Sequence, residues 1–278
     1  MTAKIAVSAA AFLLFFIIEG VLPHFAGRAF RGRLRHSANN LGMGLANGLV
    51  IGLVAGLLVV SAAEYSARYS FGLARRFTFP FFDMPLKALM LFVLFDLWMY
   101  CWHRLNHRLR PLWMLHRAHH ADRAMDASTA VRFHPLEILA SSSLRPLVIA
   151  LLGMEIAQLA LYEAVLLPVI LFHHSNVALP ARLDRALRAL VVTPNMHRVH
   201  HSRAVAETHS NYSSVFSFWD RLLGSYRTRE DTRSIDLGLN ILREDRWQGF
   251  PGILLTPFAG RFSPRPGARG PASRKSRP

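Results

Sequence analysis

The chain has 278 residues, of which 52% are apolar, and a formal net charge of +16. That length allows one large domain or two small ones, and so much apolar content beside so much charge requires the two classes to be segregated along the chain. Apolar runs separated by arginines suit a polytopic membrane protein, whereas a basic nucleic-acid binder would need a zinc-finger spacing, RNA-binding signature or basic zipper that is not found.

Residues 5–22 (IAVSAAAFLLFFIIEGVL) form an apolar run. A cleaved signal peptide is the alternative reading, but it needs a basic start and a small-residue cleavage site. Here Lys4 is the sole base before the run, which ends in Leu22-Pro23-His24-Phe25, so a retained first helix is expected. Arg28, Arg31, Arg33 and Arg35 follow with no acid among them, and then residues 41–63, an apolar run rich in Gly and Ala. About 20 such residues span a bilayer, so this run is expected to be a second helix. Gly42, Gly44, Gly48, Gly52 and Gly56 suggest close helix contact there, with Gly52 and Gly56 at the small-xxx-small spacing.

Residues 64–84 read as a short interfacial loop. Pro85 opens a third apolar run whose helical pattern continues through HRLNH to Arg110, where Pro111 is expected to end it. The last two turns would then protrude past the hydrocarbon, placing the first histidine pair at the membrane–water boundary. Residues 112–145 are polar and histidine-rich. Residues 146–172 are apolar with an interruption at Gly153-Met154-Glu155, read as two short helices that enter and leave on one side. A single full crossing would put the flanking histidines on opposite faces. Residues 177–247 are amphipathic, and a basic tail holding six Lys and Arg from Arg261 onward is expected to be disordered and drawn to anionic headgroups.

The segments 28–35, 103–145 and the tail are strongly basic, whereas 64–84 carries Arg68, Arg75 and Arg76 against Glu64 and Asp83. The positive-inside rule therefore places the amino terminus outside and the histidines in the cytoplasm. The expected fold is an all-α, polytopic membrane helical bundle with a cytoplasmic helical histidine-cluster cap. Residues 1–84 would be N-terminal helices and loop, 85–230 the histidine-bearing domain, and 231–278 a C-terminal extension.

Cys101 is the single cysteine, which excludes a disulfide framework and a cysteine-rich zinc site. Twelve of the 14 histidines fall between His103 and His209. HRLNH supplies His103 and His107; HRAHH supplies His116, His119 and His120; HRVHH supplies His197, His200 and His201. Offsets of three and four put the rings of each cluster on one helix face. With histidine at roughly one residue in 20, an HxxHH arises about once in 8,000 start positions, and the chain has two. Eight histidines exceed what one ion can use, so two ions are implied. Imidazole suits zinc, copper, iron and nickel. A two-zinc hydrolase would bring bridging carboxylates into the clusters, and Asp122 and Asp126 lie just beyond the second. Iron fits better, because oxidising an unactivated C–H bond at a membrane surface needs a metal that activates oxygen. A membrane metal-binding or transport protein is the competing class, but transporters place ligands near the bilayer midplane.

DLWMYCWHRLNH, LWMLHRAHHAD, TAVRFHP, HHSN, TPNMHRVHHS and WDRLLGSY, in that order, resemble the fatty acid hydroxylase (sterol desaturase) superfamily over roughly residues 85–228. Members are membrane di-iron enzymes with histidine ligands that act on sterols, fatty acids, ether lipids or carotenoids. The resemblance implies two Fe ions held by the eight histidines, with O2 as co-substrate. It adds His134 and His174, which stand at the family's RxHP and HSN positions. A lipid-like substrate is implied, hydroxylated or desaturated with two electrons from a separate reductase, ferredoxin or cytochrome. In a bacterium the enzyme would lie in the inner membrane.

Asp96, Tyr100, His103 and His107 share one helical stripe, so Asp96 is expected to accept an N–H from a ligand histidine, unless it pairs with an arginine for structural reasons. Arg132 and Asn176 are similar candidates. Trp98, Trp102 and Trp113 are expected to anchor helices at the interface. Of the pair His173 and His174, only one can face the metals from a rigid helix. The HSN match selects His174 and turns His173 toward apolar neighbours or the membrane interface.

Overall fold

The computed structural model describes residues 2–26, 29–52, 56–77 and 83–259, and within them every regular element is helical. The histidine end of the molecule is set by where its long helices start and stop. α1 (Thr2–Val21) runs toward that end, and α2 (Phe30–Val50) and α3 (Gly56–Arg68) run away from it. α4 (Asp83–Arg108) returns, and α5 (Arg110–His120) follows after a break at Leu109. Arg28 and the tail from residue 260 lie outside the described residues.

Pro111 does more than end a helix. It lies in the first turn of α5, where its missing N–H costs nothing. The backbone at Leu109, φ −95° and ψ 119°, turns α5 across the end of α4. The two histidine clusters of HRLNH and HRAHH are thereby folded toward each other.

α6 (Pro135–Leu152) and α7 (Ile156–His174) form the expected hairpin, broken where Gly153 takes a left-handed conformation (φ 74°). α6, however, begins at Pro135, eleven residues before the apolar run. At about 1.5 Å per residue these helices of 18 and 19 residues approach the roughly 30 Å of a hydrocarbon core. They are long and apolar enough to cross, as is α4, whereas the sequence reading had two short helices that do not. The outcome for the histidines is unchanged, since a crossing and a return end on the side where they began. At the remote tip a Cβ on Gly72 would collide with the Gly153 nitrogen, so the turn that follows α3, within residues 69–77, seats directly on the hairpin's turn, and residues 64–68 are helical where a loop was expected.

The run 41–63 is divided between α2 and α3, and α2 starts eleven residues earlier than expected. Gly42 and Gly44 do allow close approach: Cβ atoms there would come within 3.2 Å of the Phe250 ring and 3.1 Å of Val131. Among the described residues nothing lies within 4 Å of a Cβ built on Gly48, Gly52 or Gly56, so the Gly52/Gly56 spacing meets no described neighbour. Leu13, Leu45, Leu57, Leu89 and Leu147 are all more than half exposed, which gives the long helices an apolar outer surface suited to lipid.

Beyond α7 the chain forms a cap of short helices: α8 (Ala181–Leu187), α9 (Pro194–His200), α10 (Val205–Thr208), α11 (Phe218–Leu222) and α12 (Phe250–Leu255). Three fully buried arginines tie this cap to the histidine helices. Arg198 donates to the carbonyls of Ser175 and Val177, each at 2.8 Å. Arg117 reaches the carbonyls of Thr256 and Ala259, and Arg132 those of Ala118, Trp247 and Gln248.

The positions of the two ends give a topology test. Single cysteines replacing Tyr69 and Arg123, in a Cys101→Ser background, should react with an impermeant thiol reagent from opposite sides of the membrane, residue 69 from outside. Labelling of both from one side would contradict this arrangement.

Candidate metal centre

Nine histidines converge in two groups. His103 and His107 from α4, His116 and His120 from α5, and His200 from α9 form the first. His119 from α5, His174 at the end of α7, and His197 and His201 at α9 form the second. Within each group the potential ligand atoms lie within 4.8 Å of one another. The i, i+3, i+4 spacing explains the division: His119 points about 100° away from His120 on the same helix, so α5 feeds both groups.

The nitrogens that face inward meet only each other or no hydrogen-bond partner at all. In the second group Nε2 of His174 is 3.1 Å from Nε2 of His119 and 3.0 Å from that of His197, which is 3.2 Å from Nε2 of His201. His174 donates Nδ1–H to the Ile170 carbonyl at 2.7 Å, which leaves its Nε2 as an acceptor aimed at other imidazole nitrogens. In the first group His103 donates Nδ1–H to the Tyr212 carbonyl at 2.8 Å, His200 to that of Ser210 at 2.6 Å, and His116 to Glu137 at 2.8 Å. The Nε2 atoms of all three are enclosed and make no hydrogen bond. Leaving such groups buried and unpaired is costly. A cation among them removes the cost, and an ion bonded at about 2.1 Å keeps neighbouring nitrogens roughly 3.0–3.4 Å apart. The residues therefore fit a pair of metal ions. Burial first, and then the neighbouring imidazoles, hold His119, His120, His197, His200 and His201 well below the usual histidine range, in the neutral form that binds metal.

The loop 210–220 supplies two of those carbonyls, and two acids hold it. Asp220, in the WDRLLGSY motif, accepts from the backbone N–H of Tyr212 at 2.7 Å and of Ser213 at 3.0 Å. Asp96 accepts from the N–H groups of Val215 and Phe216, from Trp219 Nε1 and from the Tyr162 hydroxyl, at 2.9–3.1 Å. Asp96 thus binds no histidine, contrary to the expectation from its stripe. It lies two turns before His103 and acts on it only through this loop.

Other expectations are corrected. His134 is outside both groups: it caps α6, with Nδ1 accepting from the Leu136 N–H and Nε2 3.1 Å from the Leu254 carbonyl. Asn176 brackets the backbone of Phe25 and does not reach His174. Arg132 holds carbonyls, among them that of Ala118 between His116 and His119. Trp113 packs on His107 and His120, with centroids 5.0 and 5.5 Å apart, so it covers the first group instead of anchoring at the interface. His173 lies 4.1 Å from the His197 ring and is buried, not turned to apolar neighbours. Its nitrogens belong to neither group, whereas His174 is central to the second.

Sequence reasoning missed Glu137 and His36. Glu137, an acid in the first turn of an apolar helix, orients His116 and accepts from Asn106 at 3.2 Å. His36 donates Nδ1–H to Asp126 at 2.7 Å and Nε2–H to Asp122 at 2.9 Å. Burial opposes its charge, but the two carboxylates prevail and raise its pKa from 6.5 to about 9.

A sequence model of the fatty acid hydroxylase family matches residues 88–225. The chain is 30% identical over 176 residues to an ornithine lipid hydroxylase of Rhizobium tropici, a match covering 63% of this chain and 51% of that protein. Alkylglycerol monooxygenases of Danio rerio and Homo sapiens are 27% and 26% identical over 55% and 56% of this chain and 34% of each relative. The chain thus spans about half the length of the first relative and a third of the other two. No solved structure gives a significant match.

Two predictions arise from this geometry. Because the pKa of His36 is raised on folding, its stabilising contribution is complete below 6.5 and is lost as pH climbs toward 9. The unfolding temperature of the detergent-solubilised protein should fall across that window, by an amount on the order of 5 °C. His36→Arg, which stays charged, should remove most of the fall; an identical decline in that variant would contradict the assignment. Separately, His174→Gln should lose most of the bound metal, while His173→Gln keeps most of it. Equal losses, or a larger loss at His173, would mean that the wrong ring has been assigned to the metal.

Proposed function

Because residues 88–225 place the chain in the fatty acid hydroxylase superfamily, we propose that it is a membrane-bound di-iron enzyme that hydroxylates a lipid-like substrate with O2. The observation that carries this reading is the pair of buried histidine groups, one with enclosed Nε2 atoms that make no hydrogen bond and one whose Nε2 atoms have only each other as partners. Two irons held there would supply the oxygen-activating redox chemistry needed to functionalise an unactivated C–H bond. Hydroxylation is favoured over desaturation because the curated relatives are named as a lipid hydroxylase and monooxygenases.

The chain's own residues bind, orient and shield. His103, His107, His116, His120 and His200 would hold one iron, and His119, His174, His197 and His201 the other. Carbonyl or carboxylate acceptors at Nδ1 fix the tautomer of four of these rings and keep their Nε2 lone pairs inward. Phe133, stacked on His119 at 4.5 Å, and Trp113, against His107 and His120, cover the imidazoles with apolar rings and exclude water. Two electrons come from a separate donor. The basic segments at the histidine end favour a cytoplasmic site, in the inner membrane if the source is bacterial.

Neither group contains a carboxylate, which disfavours a di-zinc hydrolase. Both groups stand at the ends of apolar helices and not at their middles, which disfavours a transporter.

Protein purified with iron supplied should hold close to two irons per chain and little zinc. His119→Ala and His200→Ala should each abolish oxygen-dependent lipid hydroxylation, with membrane insertion intact, as read from lipid extracts and metal content. Stoichiometric zinc with hydrolase activity, or normal turnover by either variant, would refute the reading.

A further inference from the structure

The buried face of α2 carries a polar stripe. His36, Asn40 and Asn47 are 6%, 0% and 6% exposed, and spacings of four and seven residues put them on one side of the helix. All three bind a single stretch of chain, residues 122–133, which immediately follows the ligands of α5. His36 takes Asp122 and Asp126. Asn40 donates to Ser128 Oγ at 2.9 Å and accepts from Arg132 at 3.1 Å. Asn47 donates to the Phe133 carbonyl at 3.0 Å.

Both ends of that stretch meet the metal centre. Asp122 begins two residues after His120, and Thr129 Oγ1 folds back to it at 2.8 Å. Phe133 lies flat on His119, the planes 9° apart. His119 is the α5 residue that belongs to the second group. The two carboxylates are buried, Asp122 at 0% exposure and Asp126 at 7%, and His36 is the cation that bridges them. Without it two enclosed negative charges would repel each other within a four-residue span, and this is the kind of loss that displaces a backbone.

We propose that His36 is a positioning residue for the second iron site: by bridging Asp122 and Asp126 it fixes residues 122–133, and so holds Phe133 against His119. The proposal rests on the two-metal reading above. His36 touches no ligand itself and acts through the segment that it pins.

The test uses the full chain, purified in detergent, loaded with ferrous iron and challenged with a chelator. His36→Ala should retain about one iron per chain and release the second at least tenfold faster than wild type. His36→Arg should restore both, because its guanidinium can donate to both carboxylates and extend into the adjoining cavity of about 470 Å³ that His36 lines. Arg145→Gln breaks an ion pair with Glu163 (2.8 Å) on the hairpin and serves as a control for stability loss that does not involve the site. Two chelator-resistant irons in His36→Ala would overturn the proposal. So would equal iron loss in the control at matched stability, or a His36→Arg protein that is stable yet no better than the alanine variant. A wild-type chain without two irons would instead refute the metal-centre reading, and is seen before any substitution is made.

Discussion

Nine buried imidazoles brought together in two groups carry a desolvation cost that cations between them would remove, and the architecture is organised to hold them in place. In water each ring nitrogen would find a partner. Here the partners on the outer side are supplied one by one, from a helix carbonyl (Ile170), two loop carbonyls (Tyr212 and Ser210) and one carboxylate (Glu137). Each removes a degree of freedom from a ring and leaves its other nitrogen aimed at the centre.

The same logic explains the arginines inside the histidine motifs. A cation beside a metal site would oppose metal binding, yet Arg117 and Arg198 alternate with the ligands. Helical geometry turns them away from the centre, and each spends its donors on backbone carbonyls of neighbouring segments. They staple the cap to the ligand helices, and burial lowers the pKa of Arg198 to about 9. The lipid-facing helices give the apolar frame, and the cap gives the buried polar interior in which the two histidine groups are held.

Much of this was legible from spacing. Eight of the nine grouped histidines lie in three short motifs and His174 in its HSN context; the offset-four pairs stay together, while the offset-three pairs His116/His119 and His197/His200 are divided between the two groups. His134 misled because a histidine before proline serves equally well as a helix cap, and nothing local separates the two roles. Asp96 misled because a shared stripe shows direction but not what folds back upon it; its partners lie 66 to 123 residues away. His36 was missed for the same reason, since its carboxylates are 86 and 90 residues distant and only the fold joins them.

Whether two irons lie in an all-imidazole environment is read by X-ray absorption at the iron edge of the purified, reduced protein. The expected spectrum shows a first shell of nitrogen and oxygen scatterers at about 2.1 Å, with the outer-shell pattern of about four imidazoles per iron. A sulfur-containing shell, or one dominated by oxygen with fewer than two imidazoles per metal, would contradict it.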